Sequence, residues 1–460
     1  MKILALLIIS TIMTSNINAQ DQSDKAIINK IYTEALNKGK GYEQLRHLTK
    51  EIGPRLAGSP GAAEAVKYTS KLMKDLLFDE VFLQNVKVPH WVRGEKEVAY
   101  IITKDKKIVV PICALGGSIA TEENGITAPI IEVKGLKALD QLTEKEIKGK
   151  IVFFSEPMNP EHLNTFKAYS GVVGQRVYGA SRAAKLGAVG TIVRSMCLRQ
   201  DDQPHTGAMH YEDGIKKIPT AAISTNGAKL LSELLQKDNS LKFYFKMNCE
   251  TLPDEPSHNV VGEIAGTNKT KAYIIAGGHL DAWDNGEGAH DDGAGCIQAI
   301  EALRILKAIG YKPKNTLRAV MFMNEENGLR GGKEYARLAK EKKEKHIAAI
   351  ESDRGAFTPR GFSFDIPEAK SEAVKKKMEL FKSLLAAYSL NEFLEGGSGA
   401  DIGPLKEQGP VLIGYIPDSQ RYFDFHHTAI DTFEAINKRE LELGAAAIAA
   451  LIYLIDKYDL

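Results

Sequence analysis

Short apolar runs alternate with amphipathic stretches from residue 258 to the end of the chain. Between the runs, apolar residues recur at helical spacing, as at Ile297, Ile300, Leu303 and Leu306. Strands that alternate with helices predict an open α/β fold, in which a mixed, mostly parallel sheet is flanked by helices. The strands we predict are short, apolar and rich in β-branched residues, as expected of strands covered on both faces: "AYIIAG", "TLRAVMFM", "HIAAIES" and "PVLIGYI".

The pattern changes twice before residue 258. An α/β opening with the glycine- and proline-rich loop "GPRLAGSPG" and the strand "DEVFLQNVKV" extends to about residue 90. The next part consists of short β-rich runs, with one helical hairpin-like unit in "ASRAAKLGAVGTIVRS". Because the α/β pattern on either side is that of one sheet, we predict a domain of residues 20–90 and 255–460. A β-rich domain of residues 91–254 is inserted in it and is expected to form a wall over its cleft.

The first residues predict export. Lys2 precedes an apolar run over residues 3–13, and small and polar residues follow as far as Ala19. This layout is typical of a signal peptide, residues 1–19, cleaved after Ala19. The run is too short to span a membrane, and the alternative, a buried amino-terminal helix, does not explain Lys2 and Ala19. We therefore expect a secreted or periplasmic protein.

The composition argues against several kinds of partner and site. The 460 residues are 43% hydrophobic and 26% charged with a net charge of +1, so no overall charge favours nucleic acid or a membrane surface. The four cysteines include no C-x-x-C pair, which argues against a thiolate zinc site. Whether Cys197 and Cys249 form a disulfide is left open.

Acids and imidazoles follow four successive predicted strands. They are His279 and Asp281, Glu325 and Glu326, Asp353, and His426 and His427. Ligands bind where the carboxyl ends of parallel strands meet, and histidine with carboxylate but no thiolate is the usual composition of a catalytic zinc site. A single acid at a strand end more often caps a helix, but this alternative does not account for so many together. The histidines of "PHTGAMHYEDG" are widely spaced, and a solvated loop is the favoured interpretation there.

Four motifs in order resemble the co-catalytic di-zinc exopeptidases of the leucyl aminopeptidase and glutamate carboxypeptidase type. They are "GGHLDAWDNGEGAHDDGAG", "MNEENGLRGG", "ESDRGAF" and "HHTAIDTF". With "GPRLAGSPG" and "GGSGADIGPL", the carboxypeptidase Q branch is the most similar, over nearly the whole mature chain. The resemblance implies that residues 91–254 form a protease-associated domain and that the protein is a homodimer.

Carried over to this sequence, the resemblance implies two Zn²⁺ ions with shared ligands. The five metal ligands would be His279 and Asp353 for the first ion, Glu326 and His427 for the second, and Asp291 as the bridge. A cis peptide bond would join Asp291 to Asp292. His427 is preferred to His426 because the family's histidine precedes its "D-T" pair by four positions, as His427 precedes Asp431.

Two further carboxylates receive roles from the resemblance. Asp281 would orient the ring of His279, and Glu325 would be the general base. His290 lies where the family uses no ligand, and we interpret it as structural. The expected reaction is hydrolysis of dipeptides or short peptides with a free amino terminus, by attack of a metal-bound hydroxide on the peptide carbonyl.

Alternatives remain for the function. A carboxypeptidase of the glutamate carboxypeptidase type would share these ligands and would need a cationic anchor, for which Arg354 and Arg421 are the candidates near the ligands in sequence. An inactive binding protein of the same fold is less favoured, because every ligand position holds a competent residue. A single-zinc aminoacyl cyclase is less favoured because of the position of His279.

Overall fold

The computed structural model describes residues 22–269 and 271–460, so the predicted signal peptide lies outside the described residues. The helices are α1 (22–38), α2 (Gly41–Arg46), α3 (Pro60–Asp75), α4 (Gly135–Leu139), α5 (Glu144–Ile147), α6 (Thr165–Ser170), α7 (Val173–Lys185), α8 (Thr225–Lys237), α9 (Ala294–Ala308), α10 (Arg330–Glu341), α11 (Ser371–Leu385), α12 (Tyr422–Phe425) and α13 (Lys438–Tyr458). Single irregular or 3₁₀ turns add His47–Ile52, Ala289–Gly293, Glu368–Lys370, Ala386–Tyr388, Gly403–Gln408 and Phe433–Ala435.

The strands fall into two sheets. Those of the first sheet are β1 (Glu80–Val92), β10 (Glu250–Ile264), β11 (Ala272–His279), β12 (Thr316–Phe322), β13 (Lys345–Glu351), β14 (Pro359–Asp365), β15 (Glu392–Glu395) and β16 (Val411–Pro417). Those of the second are β2 (Val98–Ile102), β3 (Lys107–Val109), β4 (Ile112–Ala114), β5 (Ile126–Val133), β6 (Ile151–Phe154), β7 (Gly190–Arg194), β8 (Thr220–Ile223) and β9 (Lys242–Lys246).

The first sheet confirms the predicted fold class. Its strand order is β1-β10-β12-β11-β13-β16-β14-β15. The central strands β12, β11, β13 and β16 are parallel neighbours, whereas β10 and β14 run antiparallel to them. All four central strands are those that the sequence predicted. Because they run in one direction, their carboxyl ends meet at one edge of the sheet.

The second sheet is formed entirely within residues 98–246, with the order β3-β2-β9-β5-β6-β7-β8-β4. The chain enters this part after β1 and leaves it into β10, and these two strands pair antiparallel along most of their length. The predicted helical hairpin is wrong, since helix α7 is followed by strand β7. Gly187, with φ of 79°, follows the helix, and the buried β-branched residues Ile192 and Val193 continue as a strand between β6 and β8. The division into domains at residues 91 and 254 stays a prediction.

The core of the first sheet holds α9 and α13 against the central strands. Although α13 is mostly buried, no helix in the described residues is both long and apolar enough to cross a membrane. All four cysteines are buried free thiols, so Cys197 and Cys249 form no disulfide. The turn Ala289–Gly293 comes between the carboxyl end of β11 and helix α9 and contacts both, which places it at the carboxyl edge of the sheet.

Candidate metal centre and active site

Two clusters of ligand atoms meet at the carboxyl edge of the first sheet. In the first, Nε2 of His279 lies 3.2 Å from Oδ1 of Asp291 and 3.6 Å from Oδ1 of Asp353. In the second, Nε2 of His427 lies 3.2 Å from Oδ2 of Asp291 and 3.1 Å from Oε2 of Glu326. The structure thus brings together all five residues that the sequence predicted as ligands. Asp291 stands between the clusters and presents one oxygen to each.

The spacing of these atoms fits metal binding. Zinc binds histidine nitrogen and carboxylate oxygen at roughly 2.0–2.2 Å in tetrahedral geometry, so two ligand atoms of one ion lie roughly 3.3 Å apart. One buried carboxylate oxygen of each acid makes no hydrogen bond with any described residue: Oδ2 of Asp291, Oε1 of Glu326 and Oδ1 of Asp353. Buried acceptors without donors are costly, and a bound cation would satisfy them.

The pKa shifts of the two histidines also indicate a site that favours positive charge. Burial alone would lower the pKa of His279, but its contacts with Asp291 and Asp353 outweigh burial and raise that pKa well above its usual range. Burial likewise opposes the charge on His427, but the negative charges of Glu326 and Asp291 raise its pKa to about 10. The carboxylates therefore attract positive charge to both clusters.

Asp281 acts on the site in a different way from the one expected. Its carboxylate lies 4.0 Å from Nδ1 of His279, and the closer acceptor for that ring nitrogen is the backbone carbonyl of Asp281, at 2.8 Å. The carboxylate instead accepts hydrogen bonds from the backbone N–H groups of Asn324, at 2.6 Å, and Glu325, at 3.1 Å. Asp281 therefore orients His279 through the backbone and fixes the loop that carries Glu325.

Glu325 is half-buried and lines the pocket beside both clusters. Burial raises the pKa of this carboxyl well above its usual range, and the negative charges of Asp353 and Glu326 add to the shift against the opposing effect of His279. A bound dication would lower the same pKa. A carboxylate beside the candidate ligands is placed to exchange a proton with an attacking water.

The turn that carries Asp291 is held by two residues distant in sequence. The guanidinium of Arg55, fully buried, donates to the backbone carbonyls of Leu280, at 2.7 Å, Glu287, at 2.6 Å, and Gly288, at 2.7 Å. From the other side, the Asp431 carboxylate accepts the backbone N–H groups of residues 290 and 291 at 2.8 and 3.1 Å. The peptide bond between residues 291 and 292 is cis, as expected. Arg55 of the motif "GPRLAGSPG" therefore holds the backbone that carries the candidate metal ligands.

We expect Arg55→Lys to weaken metal binding about 10- to 100-fold without unfolding the protein. A lysine keeps the charge, but its single ammonium cannot hold three separate carbonyls as the guanidinium fork does. Titration of the metal-free variant with Zn²⁺ measures the effect, and Arg46→Lys, at an ion-paired surface position, is the matched control. Unchanged zinc affinity in Arg55→Lys would mean that Asp431 alone holds the turn.

The two remaining histidines near the ligands have packing contacts. The ring of His290 stacks on Phe357 with centroids 4.3 Å apart, and its Nδ1 accepts the N–H of Ala356 at 3.2 Å. The ring of His426 stacks on His427 at 3.5 Å, and its Nε2 is 3.8 Å from Oδ2 of Asp291. His427 lies nearer to Asp291 than His426 does and also contacts a second acid.

The interpretation of "PHTGAMHYEDG" as a solvated loop is wrong for its first residues. His205 is only 2% exposed, and the carbonyl of Thr206 lies 3.3 Å from Nδ1 of His427. The N–H of Thr206 also donates to the carbonyl of His427, at 3.1 Å. This part of the segment 98–246 therefore orients a candidate ligand.

A pocket of about 260 Å³ opens onto both clusters. Besides the candidate ligands and Glu325, it is lined by Phe166, Tyr169, Arg176, Ala208, Tyr422, Phe423 and His426. The first four of these belong to the part of the chain between β1 and β10. Phe166, Tyr169 and Arg176 stand in no motif that the sequence analysis singled out, because their place depends on how the two sheets pack.

Comparison with known proteins identifies the family. The model of Peptidase family M28 matches residues 259–452. Carboxypeptidase Q of Homo sapiens is 35% identical over 432 residues, which cover 94% of this chain and 88% of the human protein. The chain belongs to peptidase family M28. The resemblance to exopeptidases that the motifs predicted is thus confirmed, and the protein is a metallo-exopeptidase.

Two solved structures have the same fold. A peptidase M28 precursor from Shewanella amazonensis superposes with a TM-score of 0.88 at 32% identity, covering 95% of this chain and 97% of that one. A zinc aminopeptidase from Bacillus subtilis reaches a TM-score of 0.64 at 21% identity, over 90% of this chain and 94% of that one. At that identity the second likeness shows the fold alone.

Proposed function

We propose that this member of family M28 is a secreted or periplasmic di-zinc exopeptidase, which hydrolyses dipeptides or short peptides with a free amino terminus. The observation that carries the proposal is the position of Asp291, whose two oxygens face two separate ligand clusters. A carboxylate so placed suits a bridge between two ions. The name of one relative, carboxypeptidase Q, agrees with exopeptidase activity.

Two zinc ions would share the five ligands. His279 and Asp353 would bind the first ion, Glu326 and His427 the second, and Asp291 both. The nitrogen and oxygen donors suit zinc and leave a position open on each ion. The nearby thiol of Cys296 donates to the carbonyl of His279 instead, at 3.1 Å.

The chain's own groups then divide the work of hydrolysis. When bound, the metal would supply Lewis acidity for the peptide carbonyl and the attacking water. Glu325 would accept a proton from the attacking water and later deliver it to the leaving amine. Asp281 holds the backbone of Glu325 at the pocket, so that its carboxylate is in place before substrate binds.

A free amino terminus fits the charge of the pocket. Two bound dications would balance the charges of the Glu325, Glu326, Asp353 and Asp291 carboxylates, and Glu325, which is not among the predicted ligands, would remain available to pair with a protonated amine. The two arginines suggested as anchors for a carboxypeptidase do not line the pocket. Arg354 lies over the ring of Phe166, and Arg421 is exposed and lies over Phe425.

We expect N-acetylated dipeptides to be cleaved at least about 10- to 100-fold more slowly than the same dipeptides with a free amine. Acetylation removes the charge and the hydrogen bonds that the acidic pocket would satisfy, and a charged hydrogen bond has about that effect. The measurement is kcat/KM for matched free and acetylated pairs, on protein whose metal content has been determined. Two zinc ions per chain are expected. Efficient cleavage of the acetylated substrates would instead favour a carboxypeptidase.

A further inference from the structure

Arg176 is the exception among the buried arginines of the described residues. The other three, Arg55, Arg304 and Arg318, donate to backbone carbonyls or to carboxylates. Arg176 is 7% exposed, yet it makes no hydrogen bond or ion pair with any described residue, and its Nε is buried without a partner. A buried polar group without an acceptor is costly, so a substrate anion in the pocket would stabilise this guanidinium.

The side chain of Arg176 reaches the pocket from α7 and ends beside the second ligand cluster. A Cβ atom added to Gly207 would lie 2.3 Å from Nη1 of Arg176 and 2.7 Å from Nδ1 of His427. The guanidinium therefore lies over the backbone of Gly207, which has room for it because the residue is glycine. The guanidinium carbon also lies 5.6 Å from the ring centre of Tyr169.

A substrate carboxylate matches this position. The planar guanidinium donates two parallel hydrogen bonds to a carboxylate, which gives both strength and a fixed orientation. In a dipeptide the terminal carboxyl carbon is only three bonds from the carbonyl carbon that is attacked, so its anchor must lie next to the metal ligands. Arg176 lies there. The pocket of about 260 Å³ is also smaller than the roughly 300–1,000 Å³ typical of larger ligands.

We propose that Arg176 binds the C-terminal carboxylate of the substrate and so restricts the enzyme to free dipeptides. The inference rests on the proposed exopeptidase function and adds a specificity-determining residue to it. Together with the acidic groups that suit the amine, the arginine lets the pocket read both ends of a dipeptide. The part of the chain between β1 and β10 would thereby supply a substrate contact and not only a wall.

The test compares a free dipeptide, Ala-Leu, with its C-terminal amide. We expect the wild-type protein to favour the free acid in kcat/KM by on the order of 10²-fold or more, because the amide leaves the buried charge unpaired. Arg176→Ala should bring the ratio of acid to amide close to one. Arg176→Lys, which keeps a charge but loses the fork, should give an intermediate ratio. Arg354→Ala and Arg421→Ala are the matched controls and should keep the wild-type ratio.

A merely structural role would lower both rates equally and leave the ratio unchanged, which would overturn the proposal. The same holds if the wild-type protein cleaves the amide as well as the acid, if Arg354→Ala removes the preference, or if Arg176→Ala affects only dipeptides with acidic side chains. Calorimetric binding of leucine and leucinamide provides a readout independent of turnover. If no dipeptide is cleaved, the proposed function fails. The anchor is still supported if Arg176→Ala weakens the binding of leucine but leaves the binding of leucinamide unchanged.

Discussion

Replacing Glu325 by Gln should lower peptide hydrolysis by on the order of 10²- to 10⁴-fold while both metal sites keep their ions. The amide has nearly the shape of the carboxylate, but it cannot accept the proton of the attacking water. Neither ligand cluster includes an oxygen of Glu325. The backbone N–H of Glu325, which donates to the Asp281 carboxylate, is unchanged by the substitution. The loss should therefore fall on kcat, with little change in metal content.

The measurement pairs steady-state kinetics on a free dipeptide with metal analysis of the same preparation. Glu341→Gln, an exposed glutamate on α10, serves as the matched control and should retain full activity and metal. Turnover near the wild-type value in Glu325→Gln would remove this residue as the base. Loss of metal would show that it is a ligand instead.

The central sheet could be predicted because its strands carry their own signal. Strands β11, β12, β13 and β16 are buried on both faces and appear as continuous apolar runs. Edge strand β15 was not predicted, because most of its four residues are exposed and give no apolar pattern. It is a strand because it pairs with β14. The pattern within residues 98–246 identified strands but assigned the end of α7 and β7 to a helical hairpin.

The approach of three candidate ligands could be predicted for a related reason. His279 ends strand β11, and Glu326 and Asp353 closely follow β12 and β13, so the parallel topology brings them together. The positions of Arg176 and Thr206 beside the site could not be predicted in this way. Both lie in the part of the chain that forms the second sheet. Their approach to the site depends on how this part packs against the first sheet, which no periodic pattern in the sequence indicates.

Replacing Asp291 by Ala should abolish binding of both ions and lower activity by at least as much as the loss of the base, on the order of 10²- to 10⁴-fold. The reason is geometric: one side chain faces His279 with Oδ1 and His427 with Oδ2, at 3.2 Å in each case, so its removal takes a ligand from each cluster. Removing His427 alone should spare the ion at His279. Asp291→Asn, which keeps one carbonyl oxygen, should retain at most one ion.

Metal analysis after equilibration with Zn²⁺ distinguishes these outcomes. The control is Asp213→Ala, a substitution at an exposed position. The backbone N–H of Asp291 is held by Asp431, at 3.1 Å, independently of its side chain, so the turn should keep its shape in the variants. An Asp291→Ala protein that still holds two zinc ions would contradict the bridge, because each cluster would then be complete without the carboxylate. One retained ion would place Asp291 in a single site, and the neighbouring His426, 3.8 Å away, would become the candidate for completing the other.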